Sequence, residues 1–143
     1  MSLVGRNPDR VRALARMCGG EALLRDQAEA RMFDVVVHAT PLGMFPNVND
    51  CFFRNSIPGE IVFDMVYNPM ETLLIQHARE QGKTIIPGLE MFIEQAAKQF
   101  EIWTGESAPR AVMEKAALEA LEAKVESPKP EVVKPDSKGG EGK

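Results

Sequence analysis

The sequence predicts an α/β fold built on a parallel sheet. The first observation behind this is a set of short runs, DVVVHAT (34–40), EIVFDMV (60–66) and KTIIPG (83–88). They are β-branched and apolar nearly throughout rather than alternating, the pattern of parallel strands covered on both faces. The second is that helical patterns with recognisable ends lie between and after them, and alternation of strand with helix leads to parallel sheets. With 143 residues, 44% of them hydrophobic, the chain has enough apolar matter for one domain with a real core.

Taken in order, SLVG (2–5) reads as a short strand running directly into the polar turn Gly5-Arg6-Asn7. Asn7 is a helix N-cap with Pro8 in the first turn, Val11, Leu14 and Ala15 form the apolar face, and Gly19-Gly20 stop the helix. EALL (21–24) is a weak further strand. After the strands at 34–40 and 60–66, ETLLIQHAREQG carries Leu73, Leu74 and Ala78 on one side and ends at Gly82. LEMFIEQAAKQFEIWTG is helical up to Gly105, with Phe92, Ile93, Ala96, Ala97, Phe100 and Trp103 as its apolar stripe. PRAVMEKAALEALEAKV begins at Pro109 and is the last ordered element, closing a domain over 1–125. From Glu126 onward, proline, lysine, acidic residues and glycine replace the periodicity, which predicts a disordered tail over 126–143.

A net charge of −4 points to neither nucleic acid nor an anionic membrane surface as a partner. The two cysteines, Cys18 and Cys51, belong to no CxxC or Cys/His cluster and read as reduced thiols of a cytoplasmic protein, with no metal role. The chain has no apolar run of membrane-spanning length and no signal-peptide pattern.

Ligands of open parallel sheets bind beyond the carboxyl ends of the strands. The residues that follow each apolar run are therefore the candidates: Gly5, Arg6, Asn7 and Arg10; Thr40 to Met44; Asp64 to Pro69; and Pro87 to Met91. Arg6 and Arg10 either fork onto a ribose 2′-phosphate, where an NAD site presents an acid, or are solvated surface arginines with Asp9 between them. Met91 and Gln95, one helical turn apart and off the centre of the apolar stripe, either line a cleft or lie on the surface. Tyr67 either caps the core with its ring or offers its hydroxyl to a substrate. Asp64, inside an apolar run, must find partners such as backbone N–H groups and shapes its turn. His38 is a satisfied core histidine at a strand end, and His77 is exposed on its helix. No Ser-His-Asp or Cys-His arrangement is visible, and no catalytic residue is assigned.

DVVVHATPLGM, VFDMVYNPMETLL and GLEMFIEQAAKQFEIWTG closely resemble, in order and spacing, the C-terminal half of shikimate dehydrogenase, over about Leu3 to Leu121. The resemblance implies a Rossmann-like cofactor domain and reduction of 3-dehydroshikimate to shikimate with NADPH. Arg6 and Arg10 match the family's segment N-R-T-x-x-R for the adenosine 2′-phosphate, whereas Gly5 and Asn7 depart from it. Thr40 matches a residue facing the cofactor crevice. Met65 and Gly88 match positions beside the nicotinamide, with Met91 close by, and Tyr67 and Gln95 match substrate-contacting residues. His38 stands where the family has asparagine.

The resemblance also implies what is not in these 143 residues. The family's first strand with its Gly-x-Gly-Gly loop is absent, as is the N-terminal domain with the serines that hold shikimate and the Lys–Asp pair that moves the proton. The expectation is a partial Rossmann-like parallel sheet with flanking helices, the first strand missing, and a chain inactive by itself. The first strand of such a sheet is central, so its loss leaves two inner edges, either joined within one chain or paired with another copy. A non-catalytic stand-alone binding or regulatory module is the second reading. Use of quinate with NAD is disfavoured by Arg6 and Arg10.

Overall fold

A computed structural model describes residues 1–53 and 55–126. Beyond Glu126, the tail expected from the sequence lies outside the described residues. The order of elements is β1 (Ser2–Leu3), α1 (Pro8–Met17), β2 (Glu21–Ala22), α2 (Arg25–Glu29), β3 (Phe33–His38), β4 (Gly59–Asp64), α3 (Leu73–Glu80), β5 (Thr84–Ile86), α4 (Gly88–Thr104) and α5 (Arg110–Glu126). Strands and helices alternate as expected, and the strand pairings are parallel.

The described strands form two sheets: β1 pairs with β2, and β3, β4 and β5 form a second sheet in that order. β1 and β3 are not paired, so the two inner edges are not joined within the chain. β3 and β4 lie in register from Phe33 opposite Gly59 to His38 opposite Asp64. Every strand is shorter than its apolar run. The remainder of each run, Val4-Gly5, Ala39-Thr40, Met65-Val66 and Pro87-Gly88, turns out of its strand or opens the next helix.

The main core lies where α3 packs on β4 and β5. Phe53, Ile57, Val62, Leu74 and Ala78 are buried together, with Val36, Cys51, Phe52 and Ile85 packed against them. Each large apolar side chain so buried contributes about 1.5–3 kcal/mol. The expectation that the strands are covered on both faces fails at β3. Val36 faces the core, but Val35 and Val37 on the opposite face are 46% and 56% exposed. The sequence pattern records a two-sided burial that the described residues supply on one side only.

Helix ends follow their local chemistry. The Asn7 side chain accepts from the N–H groups of Asp9 and Arg10 at 3.1 Å each, with Pro8 at the first position. Thr72 caps α3 by accepting from the Ile75 N–H, and Gly105 ends α4 in the left-handed region at φ 74°. The short helix α2 was not expected. It is started by the Gln27 side chain accepting from the Leu24 N–H. The apolar stripe of α4 is only partly inside: Ile93 and Ala97 are buried, Phe92 lies near the surface, and Trp103 is 77% exposed. Leu14 on α1 is likewise half exposed, and His77 is half-buried rather than exposed. No helix among the described residues is long and apolar enough to cross a membrane.

Candidate functional site

A cavity of about 700 Å³ opens between the carboxyl ends of the two sheets. Its wall is formed by Val4, Gly5 and Arg6 after β1, by Ala22 at the end of β2 with Leu23 to Arg25 after it, by Ala39 to Leu42 after β3, and by Pro8, Val11, Arg12 and Phe52. Gly5 is required there by close packing, because a β-carbon on it would lie 2.9 Å from a methyl of Val11. Three guanidinium groups reach this wall. Arg12 is tied to Asp9 at 2.5 Å, and Arg25 lies 4.4 Å over the ring of Phe52. Arg6 is exposed in the turn after β1. A concave apolar space rimmed by arginines suits a ligand with apolar rings and phosphate groups.

Behind the wall runs a buried polar chain. His38 at the end of β3 holds its Nδ1 2.9 Å from Oδ1 of Asp64 and its Nε2 2.6 Å from Oγ1 of Thr40. Asp64 also accepts from the Val66 N–H at 3.0 Å and from the Thr72 hydroxyl at 2.5 Å. Burial opposes charge on Asp64, but the His38, Thr72 and Val66 donors outweigh it and hold the carboxyl below its usual range. Nearby, burial pushes the Cys51 thiol up. The Met65 N–H donates to the carbonyl of His38 at 3.0 Å, which fixes the exits of β3 and β4 side by side.

A second cluster lies where β4 ends and α4 begins. Gly88 is buried so tightly that a β-carbon would sit 2.5 Å from the Val66 carbonyl oxygen and 2.8 Å from that of Asp64. Only a glycine lets the start of α4 approach the end of β4 this closely. Tyr67 stacks on Phe92 with ring centroids 4.7 Å apart, and Met65 and Tyr67 are each 37% exposed. Met91 is half-buried and Gln95 exposed on α4.

Comparison with known proteins shows what this chain is similar to. Residues 88–118 match the model of the shikimate 5′-dehydrogenase C-terminal domain. A shikimate dehydrogenase (NADP(+)) of Moorella thermoacetica is 38% identical over 138 aligned residues, covering 85% of this chain and 45% of the relative. That of Archaeoglobus fulgidus is 49% identical over 96 residues, covering 62% of this chain and 34% of the relative. In sequence and fold, the chain matches the C-terminal part of shikimate dehydrogenases. The crystal structure of the Thermus thermophilus shikimate 5-dehydrogenase in complex with NADP(H) and shikimate superposes with a TM-score of 0.73 at 32% identity, over 84% of this chain and 46% of that one. The chain thus spans about half the length, or less, of these relatives.

On this shikimate dehydrogenase-type scaffold, the residues singled out from sequence fall into two groups. Gly5, Arg6 and Thr40 line the cavity. Met65, Tyr67, Gly88, Met91 and Gln95 belong to the exit of β4 and the start of α4. Asn7 and Arg10 are not part of the cavity wall: the Asn7 side chain is spent on capping α1, and Arg10 is exposed on that helix. Sequence reasoning missed Arg12, Arg25 and Phe52, which reach the wall only through tertiary approach. It placed His38 and Asp64 as satisfied buried groups but did not see that they bond to each other.

Proposed function

We propose that this chain is the NADP-binding half of a shikimate dehydrogenase, which interconverts 3-dehydroshikimate and shikimate. The observation that carries the reading is the cavity at the strand ends, where Gly5 and Arg6 after β1 meet Thr40 after β3. Its donor set fits the cofactor: guanidinium groups for phosphate, a glycine that leaves room at the turn, and apolar walls for rings. NADPH, when bound, supplies the hydride. Arg6 holds the 2′-phosphate, with Arg12 and Arg25 adding positive charge to the same wall. Thr40 contributes a hydroxyl on the side of β3. Met65, Gly88 and Met91 border the nicotinamide, and Tyr67 and Gln95 face the substrate across the same strand end. Proton transfer falls to groups outside this chain, so the chain alone is inactive. Its partners in this reading are the substrate domain of the enzyme and, in isolation, a second copy meeting the unpaired edges of β1 and β3.

The test is titration of the purified chain with NADP⁺ and NAD⁺. Arg6→Ala weakens NADP⁺ by about ten- to a hundredfold, the worth of one charge-assisted hydrogen-bonding contact, and leaves NAD⁺ nearly unchanged. Equal loss for both cofactors removes Arg6 from the phosphate site. Absence of NADP⁺ binding to the unmutated chain favours the non-catalytic module. Shikimate-dependent reduction of NADP⁺ by the chain alone overturns the assignment of proton transfer elsewhere.

A further inference from the structure

We propose that His38 is a positioning residue that sets the hydrogen-bonding polarity of the Thr40 hydroxyl at the cavity wall. With the ring neutral, Thr40 is an acceptor for a ligand hydroxyl or amide N–H; with the ring protonated, it is a donor.

The argument is a count of protons and lone pairs. Asp64 is ionised and accepts from three groups, so His38 Nδ1 carries a proton and gives it to Oδ1 across 2.9 Å. In the neutral ring, Nε2 then has none, and the hydrogen bond of 2.6 Å to Thr40 is donated by the threonine hydroxyl. Thr40 Oγ1 also accepts from the Leu42 N–H at 3.3 Å. The hydroxyl proton is committed, one lone pair is occupied, and one lone pair remains for a ligand in the cavity that Thr40 lines. A second proton on the ring reverses this. Nε2–H donates to Oγ1, both lone pairs are taken, and the hydroxyl proton is released towards a ligand acceptor. His38 and Asp64 are 5% and 0% exposed, so water does not substitute for either partner. An asparagine at 38 would have no titrating proton and could not reverse.

The other charged or titratable groups around this chain do not mimic the effect. Asp64 on β4 remains ionised, burial pushes the Cys51 thiol up, and the remaining charged groups at the wall are the guanidinium groups of Arg6, Arg12 and Arg25.

The ligand half of the inference rests on the cofactor reading above, so the test has two readouts. Long-range ¹H–¹⁵N spectra of the full chain at pH 8 report the ring directly. The expected result is a proton on Nδ1 and a bare, hydrogen-bonded Nε2; a proton on Nε2 overturns the proposal without reference to any cofactor. NADP⁺ affinity is then measured from pH 5.5 to 8. The 2′-phosphate itself takes up a proton in this range, so the quantity read is the ratio of affinities at the two ends, compared between proteins. Loss of the acceptor makes this ratio about two- to tenfold larger in the unmutated chain than in His38→Asn or Thr40→Val. Thr40→Ser restores it. The same ratio in all four proteins overturns the proposal while leaving the cofactor reading intact. No NADP⁺ binding at any pH overturns the cofactor reading and the ligand half together. Should His38→Asn not fold, Thr40→Val and Thr40→Ser carry the comparison.

Discussion

Asp64 shows how one residue ties chemistry to stability. Its position inside an apolar run announced a carboxylate that needs partners, and the Val66 N–H two residues on is the local partner that the sequence implied. The His38 and Thr72 partners lie 26 and 8 residues away and depend on strand register and on the start of α3, which no local pattern encodes. Because the folded-state pKa is lowered, the stabilisation is complete above the ordinary aspartate value of about 4 and is lost as pH falls from there through the folded-state value. Unfolding in urea from pH 6 down to pH 2.5 tests this. Asp64→Asn is expected to be less stable by about 1–3 kcal/mol at pH 6, and the gap should narrow as acid protonates the carboxyl of the unmutated chain. A gap that stays constant over the whole range would show that the charge of Asp64 contributes nothing. Thr72→Val removes both a donor to Asp64 and the cap of α3, so a loss of about 1–3 kcal/mol is expected from it as well.

At the scale of the element, the ends of helices were legible and their depths were not. Asn7, Pro8 and Gly105 act within a few residues of the helix ends, and such signals survive in sequence, although the cap at Thr72 was not singled out. Burial depends on what approaches from elsewhere, which is why the apolar stripe of α4 could be read while Phe92 ended on the surface against Tyr67 and Trp103 remained exposed. Gly88 connects the two levels: it looks like a generic helix-start glycine, yet backbone oxygens of Asp64 and Val66 occupy the space of a side chain. Gly88→Ala must move α4 away from β4, since backbone atoms have no rotamer with which to yield. The expected cost is at least the 1–3 kcal/mol or so of an overpacked core site. The same shift separates Tyr67, Met65 and Met91, so NADP⁺ binding should weaken along with stability. Gly82→Ala is the control. Gly82 has φ 66° and open space around its missing β-carbon, so its cost is one of strain, about 1 kcal/mol, without loss of binding. If Gly88→Ala is as mild as this control and binds normally, the close approach is not what positions the second cluster.

For the whole molecule, the fold class and strand direction were legible from composition and alternation, and the division into two sheets follows from what the chain does not place between β1 and β3. In a parallel strand the N–H groups alternate between the two neighbours. The Met65 N–H donates to the His38 carbonyl, which puts the backbone groups of His38 on the β4 side. Val36 shares that side, which puts the N–H groups of Val35 and Val37 on the edge that faces no strand. That edge carries three consecutive valines with an open apolar face, a template for further strand pairing. In isolation the chain is therefore expected to associate with a second copy through this edge. Hydrogen exchange separates the two edges of β3 residue by residue. In dilute solution the amides of Val35 and Val37 exchange fast and that of Val36 slowly. With rising concentration Val35 and Val37 should slow in step with a sedimentation shift from monomer to dimer. Val37→Lys places a charge on the open face and should suppress both changes without altering the slow exchange of Val36. Slow exchange at Val35 in a sedimenting monomer would instead mean that the edge is closed within the chain, and the gap between the sheets would then not be available to a second copy.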